Sequence, residues 1–292
     1  MIFPADRSWF FHRVDGRRHL GLVDPEPGSF LDLGEASDLD LLATDALSAE
    51  NLPALMKQCR ELEGDPVFDV PVARPPKILC LGKNYAAHAA EFGSAVPEEP
   101  IFFTKLIGSL LPHQQTVLLP HWVNTRIDHE LELGIVLGFE DPRSAGRKYV
   151  SESEALDLVA GFTIINDVTA RSMQGEDRGK QQPWLRCKSF DTFCPIGPWV
   201  VPRDSLPGFN DLEICLEVNG QLRQKSRTSL MVVDVAAAIS YLSRHTCLQC
   251  GDVIATGTPE GVGPIEDGDI MTARIEGIGE LKNPVAREKT PA

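Results

Sequence analysis

Short apolar runs of strand length, interrupted every few residues by glycine or proline, dominate the chain from Lys77 onward. Glycine admits turn conformations and proline removes a backbone donor, so each interruption tends to end a strand. Three stretches there have helical character: residues 84–92, residues 151–159 opened by the capping pair Ser151 and Glu154, and residues 230–244. Strands and helices do not alternate, so the pattern predicts an α+β, mostly β domain rather than a doubly wound parallel sheet. Upstream, strand-like runs at residues 8–14, 19–23 and 30–33 and an expected helix over residues 49–62 make a small N-terminal α/β unit. Pro66, Pro71, Pro75 and Pro76 then mark an extended linker. The 292-residue length suits two domains, placed at residues 1–70 and 71–292.

Charge narrows the partners. With 28 basic and 42 acidic residues the formal net charge is −14, which argues against nucleic acid or an anionic membrane as the main partner. No run approaches the roughly 18 apolar residues of a spanning helix, and the first residues lack the pattern of a secretory signal, so a cytoplasmic location is expected. The seven cysteines, scattered and odd in number, suit free thiols, and the single Cys247/Cys250 pair is read as structural. His12, His19, His113, His121 and His245 form no constellation in the sequence.

The run DHELEL, Asp128 to Leu133, carries the sharpest chemistry. Read as a strand, it sends Glu130 and Glu132 from one face, roughly 7 Å apart, while Leu131, Leu133 and Ile135 leave the other. Two like charges so placed need either a solvated surface or a cation between them. Asp167, after the apolar run GFTIIN, could add a third oxygen donor. Three carboxylates without spaced Cys or His partners favour a hard ion, Mg²⁺, Mn²⁺ or Ca²⁺, over zinc. His88 and Glu91 stand three apart on the first predicted helix, the spacing of a general base with its orienting carboxylate and equally of a surface ion pair. Lys188 is bracketed by aromatic, proline and glycine residues, where it either meets an anion or snorkels to solvent. TGTPEGVG, Thr256 to Gly263, offers backbone N–H groups and the Thr258 hydroxyl, and lacks the Lys-Ser/Thr ending of a nucleotide-binding loop.

In order, GKNYAAHAAEFG, PIFFTKLIGSLL, DHELELGIVLG, GFTIINDVTARSMQ, KSFDTFCPIGPWVV and GDVIATGTPEGVG resemble the consecutive signatures of the fumarylacetoacetate hydrolase family over residues 77–281. The resemblance implies a mixed β-sandwich roll of that family's C-terminal type, with the N-terminal unit as an accessory domain, and a homodimer. It implies Glu130, Glu132 and Asp167 as ligands of Mg²⁺ or Mn²⁺, with Ca²⁺ possible, and His88, Glu91 and Lys188 as catalytic groups. Lys105, Arg171, Gln174 and Thr258 fall on its substrate-side positions. The chain departs at Ser172, where the family pattern N-D-x-x-A-R-D-x-Q has Asp, and the departure is expected to alter what orients Arg171.

The implied substrate is a small-molecule 2-oxo acid, and the leading expectation is hydrolysis of acylpyruvates or 2,4-dioxo acids such as fumarylpyruvate, in aromatic catabolism. Oxaloacetate decarboxylation and 2-hydroxyhepta-2,4-diene-1,7-dioate isomerisation are the enzymatic alternatives. A catalytically silent 2-oxo-acid-binding protein is the non-enzymatic one.

Overall fold

Two tight hairpins follow directly from Asp-Gly and Asn-Gly pairs. Asp15 and Gly16, at φ 48° and 77°, join Ser8–Val14 to Arg17–Asp24, and Asn219 and Gly220, at φ 53° and 73°, join Glu213–Val218 to Gln221–Arg227. Both central residues of such a turn need positive φ, which matches the twist of the flanking strands. The computed structural model describes residues 2–4, 7–24, 28–35, 54, 56–57 and 59–290.

Among the described residues a large mixed sheet forms the spine. In spatial order it runs Arg60–Glu61, Ser29–Glu35, Arg17–Asp24, Ser8–Val14, Cys194–Pro202, Val159–Asn166, Leu131–Leu137, Val253–Ala255, Ile78–Gly82 and Ile101–Lys105. The central strands Leu131–Leu137 and Val159–Asn166 are buried at every residue, and their near-continuous apolar sequence is what a strand covered on both faces requires. A second sheet of five strands packs on one face, contributing Ile214, Leu216, Met271, Ala273 and Ile275 to the core that also holds Leu131, Leu133 and Ile135. Its strand Glu213–Val218 alternates buried and half-buried residues, as a sheet with one solvated face should. The opposite face of the spine buries Val136, Ile165, Val200 and Ile78 with Trp9 and Phe11 from the N-terminal strands. This is the expected mostly β roll.

Several expectations are corrected. Trp9 pairs with Val200, so the strands of the N-terminal unit continue the central sheet. The proline-rich segment is not a free hinge: Phe68–Asp69 pair with Phe11 and His12, and Val70 and Val72 are buried. The helix expected over residues 49–62 lies mostly outside the described residues, and at its end Arg60–Glu61 are strand, paired with Leu31 and Asp32. The helix expected at residues 151–159 is Glu152–Ala155 followed by a 3₁₀ turn, because Val159 already begins a central strand. The Ser151 N–H does donate to Glu154 Oε2 at 3.1 Å. The third helix begins later than expected, at Val235–His245, where Asp234 accepts from the Ala237 N–H.

Candidate active site

The DHELEL segment is two strands. Ile127–His129 belongs to a small three-stranded sheet with Thr169–Ala170 and Gly263–Pro264, whereas Leu131–Leu137 belongs to the spine. The chain changes sheets at Glu130, and its partner changes sheets beside it at Asp167. The Glu130 N–H donates to Asn166 Oδ1 at 2.8 Å, and the Asp167 N–H donates to the Glu130 carbonyl at 2.8 Å. This crossing, not a uniform strand, brings one oxygen from each of Glu130, Glu132 and Asp167 within 4.8 Å of one another. All three are buried.

Buried carboxylates need positive neighbours, and the structure supplies them unevenly. Lys188 Nζ lies 2.7 Å from Glu130 Oε2 and 2.5 Å from Asp167 Oδ2, so it bridges two of the three. Lys105 Nζ donates to Asp167 Oδ1 at 2.6 Å, and also to the carbonyls of Val168 and Lys188. Arg171 pairs with Glu130 and, at 2.8 Å, with Asp128 Oδ2. Against a burial that would push it up, Lys188 and Arg171 hold the Glu130 carboxyl far below the usual carboxylate range. Glu132 is treated differently. Its Oε2 accepts from the Gly257 N–H at 2.7 Å, and no ion pair to it occurs among the described residues. Burial, then Asp167 and Glu130, push its carboxyl well up.

A carboxylate in that position is the one a further cation would satisfy, and an all-oxygen donor set suits a hard divalent ion. Glu130, Glu132 and Asp167 therefore fit a metal. The Gly257 contact depends on glycine: its φ is 93°, and a Cβ there would lie 2.8 Å from the Asn84 Cβ.

A cavity of about 260 Å³ opens onto this cluster, lined among others by Glu130, Glu132, Lys188, His88, Arg171, Gln174 and Thr258. His88 is on the short helix Ala86–Glu91, its Nδ1 3.3 Å from Glu91 Oε2. Glu91 also accepts, at 3.3 Å, from the Gly261 N–H. Burial lowers the His88 pKa, more than Glu130 and Glu91 raise it, so the neutral imidazole is favoured. A carboxylate only accepts, so Nδ1 donates and Nε2 keeps its lone pair.

Seven of the ten residues singled out in the sequence line the cavity, and Glu91, Asp167 and Lys105 are each bonded to a residue of that lining. Lys105 stands apart: its side chain is fully enclosed behind Asp167 and does not line the cavity. Arg171 does not depend on position 172, because Asp128, Glu130 and Gln174, the last accepting at 2.6 Å, orient its guanidinium.

Two supporting residues were missed. Asp128 shares strand parity with Glu130 and Glu132, a signal the sequence did contain. Gln224 accepts from the Leu131 N–H and donates to Thr258 Oγ1 at 2.8 Å, with no sequence cue. Outside the cavity lining, Asp32 is approached by His12 and His19 at 3.3 and 3.0 Å and by Arg60 at 2.8 Å, so two histidines that form no constellation in the sequence do meet in the fold.

Comparison with known proteins agrees with this geometry. The fumarylacetoacetate (FAA) hydrolase C-terminal family matches residues 77–286. A mitochondrial oxaloacetate tautomerase of Bos taurus is 38% identical over 288 residues, covering 91% of this chain and 87% of that protein. Among solved structures, a fumarylacetoacetate hydrolase from Exiguobacterium antarcticum superposes with a TM-score of 0.81 at 34% identity, covering 97% of this chain and 100% of that one. A fumarylpyruvate hydrolase from Pseudomonas aeruginosa, solved with Mn²⁺ and pyruvate, has a TM-score of 0.67 at 35% identity, covering 78% and 94%.

Proposed function

The chain belongs to the fumarylacetoacetate hydrolase family, and on that premise we propose that it is a divalent-metal-dependent hydrolase. The proposed substrates are acylpyruvates or other 2,4-dioxo acids of the fumarylpyruvate kind, cleaved to pyruvate and a carboxylic acid. The observation that carries this reading is the shared cavity, which sets the carboxylate triad and the His88 imidazole against the same small volume. It is supported by the Mn²⁺ and pyruvate in the Pseudomonas aeruginosa enzyme.

Glu130, Glu132 and Asp167 would hold Mg²⁺ or Mn²⁺, which when bound supplies Lewis-acid polarisation of the 2-oxo group. Arg171 and Gln174 orient the substrate carboxylate. His88, held by Glu91, takes a proton from water through Nε2, and the water oxygen attacks the distal carbonyl. The C–C bond between that carbonyl and the methylene breaks, its electron pair passing toward the 2-oxo group. Reprotonation of the methylene carbon gives pyruvate and leaves the acyl part as its acid. Lys188, cationic because Asp167 and Glu130 outweigh its burial, steadies the negative charge that develops. Lys105 acts through Asp167, as a positioning residue.

A second reading is proton relocation on oxaloacetate or a 2-hydroxydienoate, or decarboxylation of oxaloacetate, with the same donor set and without attack by water. The bovine oxaloacetate tautomerase, similar over nearly the whole chain, favours keeping it. Residues 1–70 are read as an accessory domain, and the protein as a cytoplasmic homodimer serving aromatic catabolism.

His88→Ala separates the readings. Loss of a general base should lower acetylpyruvate hydrolysis by roughly 10²–10⁴-fold, with a smaller loss in oxaloacetate decarboxylation. Equal losses in both assays would demote His88 to positioning, and retained hydrolysis would remove it from the mechanism.

A further inference from the structure

Two cations line the cavity without an ion-pair partner among the described residues. Lys83 follows the strand Ile78–Gly82, and Arg178 lies in the last turn of the helix Arg171–Gly179; both are at the cavity wall. Neither side chain makes a hydrogen bond or ion pair with any other described residue, although the chain carries a formal charge of −14. The acids that precede Arg178 in the chain pair with other cations, Asp177 with Arg186 at 2.5 Å and Glu176 with Lys180 at 3.8 Å. Lys83 also sits at φ 57°, a left-handed conformation that costs energy for a residue with a Cβ. Burial and then the charge of Arg178 both lower the Lys83 pKa, so the two cations are close enough to repel.

Arg171, Gln174, Gly175 and Arg178 line the cavity from one helix, at the spacing of a single face. At 1.5 Å per residue, Arg178 stands roughly 10 Å along the axis from Arg171, and Arg171 is bonded to Glu130 at the triad. The wall also carries the apolar Leu81, Ala89, Phe92, Phe103 and Trp184. The cavity thus combines a carboxylate cluster that fits a cation, an apolar surface, and a separate cationic pair.

We infer that Lys83 and Arg178 form a subsite for a second carboxylate, at the acyl end of the substrate, making the protein selective for 2-oxo dicarboxylates over analogues with an uncharged end. The inference rests on the proposed 2-oxo-acid reading and adds its specificity determinants. A carboxylate accepting from both groups would relieve their mutual repulsion.

Binding tests this separately from turnover. Dissociation constants for 2-oxoadipate and 2-oxohexanoate, equal in length and differing in the terminal carboxylate, would be measured by calorimetry with Mn²⁺. Wild type should prefer 2-oxoadipate by about 10- to 100-fold, the range of a charged hydrogen-bonded contact. The preference should collapse to within about threefold in Lys83→Met/Arg178→Met and persist in Lys83→Arg. Equal binding of the two ligands by wild type, no binding of either, or a preference retained in the double variant would overturn the inference. Failure of acetylpyruvate and fumarylpyruvate turnover with the binding preference intact would overturn the hydrolase reading instead.

Discussion

Replacing Lys105 with Met should destabilise the metal-free protein strongly while making added metal more stabilising than in wild type. Met preserves most of the stem volume, so the change removes a charge and three donated hydrogen bonds rather than packing. Asp167 keeps Lys188 on Oδ2 but loses the 2.6 Å partner of Oδ1, in a site where neither side chain is exposed. Removing one member of a buried ion pair costs about 3–5 kcal/mol. For a chain of this size that corresponds to roughly 6–20 °C in melting temperature. The triad is left one positive charge poorer, so a divalent ion should bind it more tightly, and at a hundredfold excess over Kd bound ion contributes about 2.7 kcal/mol. The assay is thermal melting in chelator and in Mn²⁺, read by circular dichroism. If the variant melts within about 2 °C of wild type in chelator, or if Mn²⁺ stabilises it less than wild type, Lys105 does not support Asp167 as argued.

Two further outcomes follow from the same structure. His113 is buried with its Nδ1 accepting from the Lys282 N–H at 3.0 Å, and burial, with the charge of Lys282, lowers its pKa to about 4. The unfolded chain takes up that proton near pH 6.5 and the folded one does not. Folding stability should therefore fall by about 3 kcal/mol between pH 6.5 and 4, in urea titrations that His113→Gln flattens; an unchanged slope in the variant would count against it. The helix Ala86–Glu91 is pinned at its start, where Asn84 donates to Thr256 and Val233 carbonyls, but is mostly exposed thereafter. Hydrogen exchange through residues 82–97 should slow when oxalate and Mn²⁺ are added, as for a lid closing over ligand, and equal exchange would refute closure.

Local pattern made the pairing of Glu130 and Glu132 legible, although the parity argument assumed one strand where the chain changes sheet at Glu130. Asp128, two residues before Glu130, also pairs with Arg171. What local pattern could not show is the change of sheet at Glu130, because that depends on Asn166 and Asp167 arriving beside it from another strand. Lys188 was visible as a costly lysine, yet its two carboxylate partners are 58 and 21 residues away. Lys83 lies inside the GKNYAAHAAEFG motif with no role assigned to it there, and Arg178 looks like an ordinary surface cation until the fold sets both on one cavity wall. The helix expected at residues 151–159 shortened because Val159 was claimed by a central strand, a tertiary preference that overrides propensity, whereas the one expected at 230–244 starts at its Asp234 cap.

The central claim is that Glu130, Glu132 and Asp167 hold a divalent ion on which cleavage of a 2,4-dioxo acid depends. Pyruvate release from fumarylpyruvate, measured on protein stripped with chelator and verified metal-free by elemental analysis, tests it directly. The account predicts no release until Mn²⁺ or Mg²⁺ is restored, and no recovery at the same ion concentration in Glu132→Ala. Full turnover by the metal-free protein would contradict it.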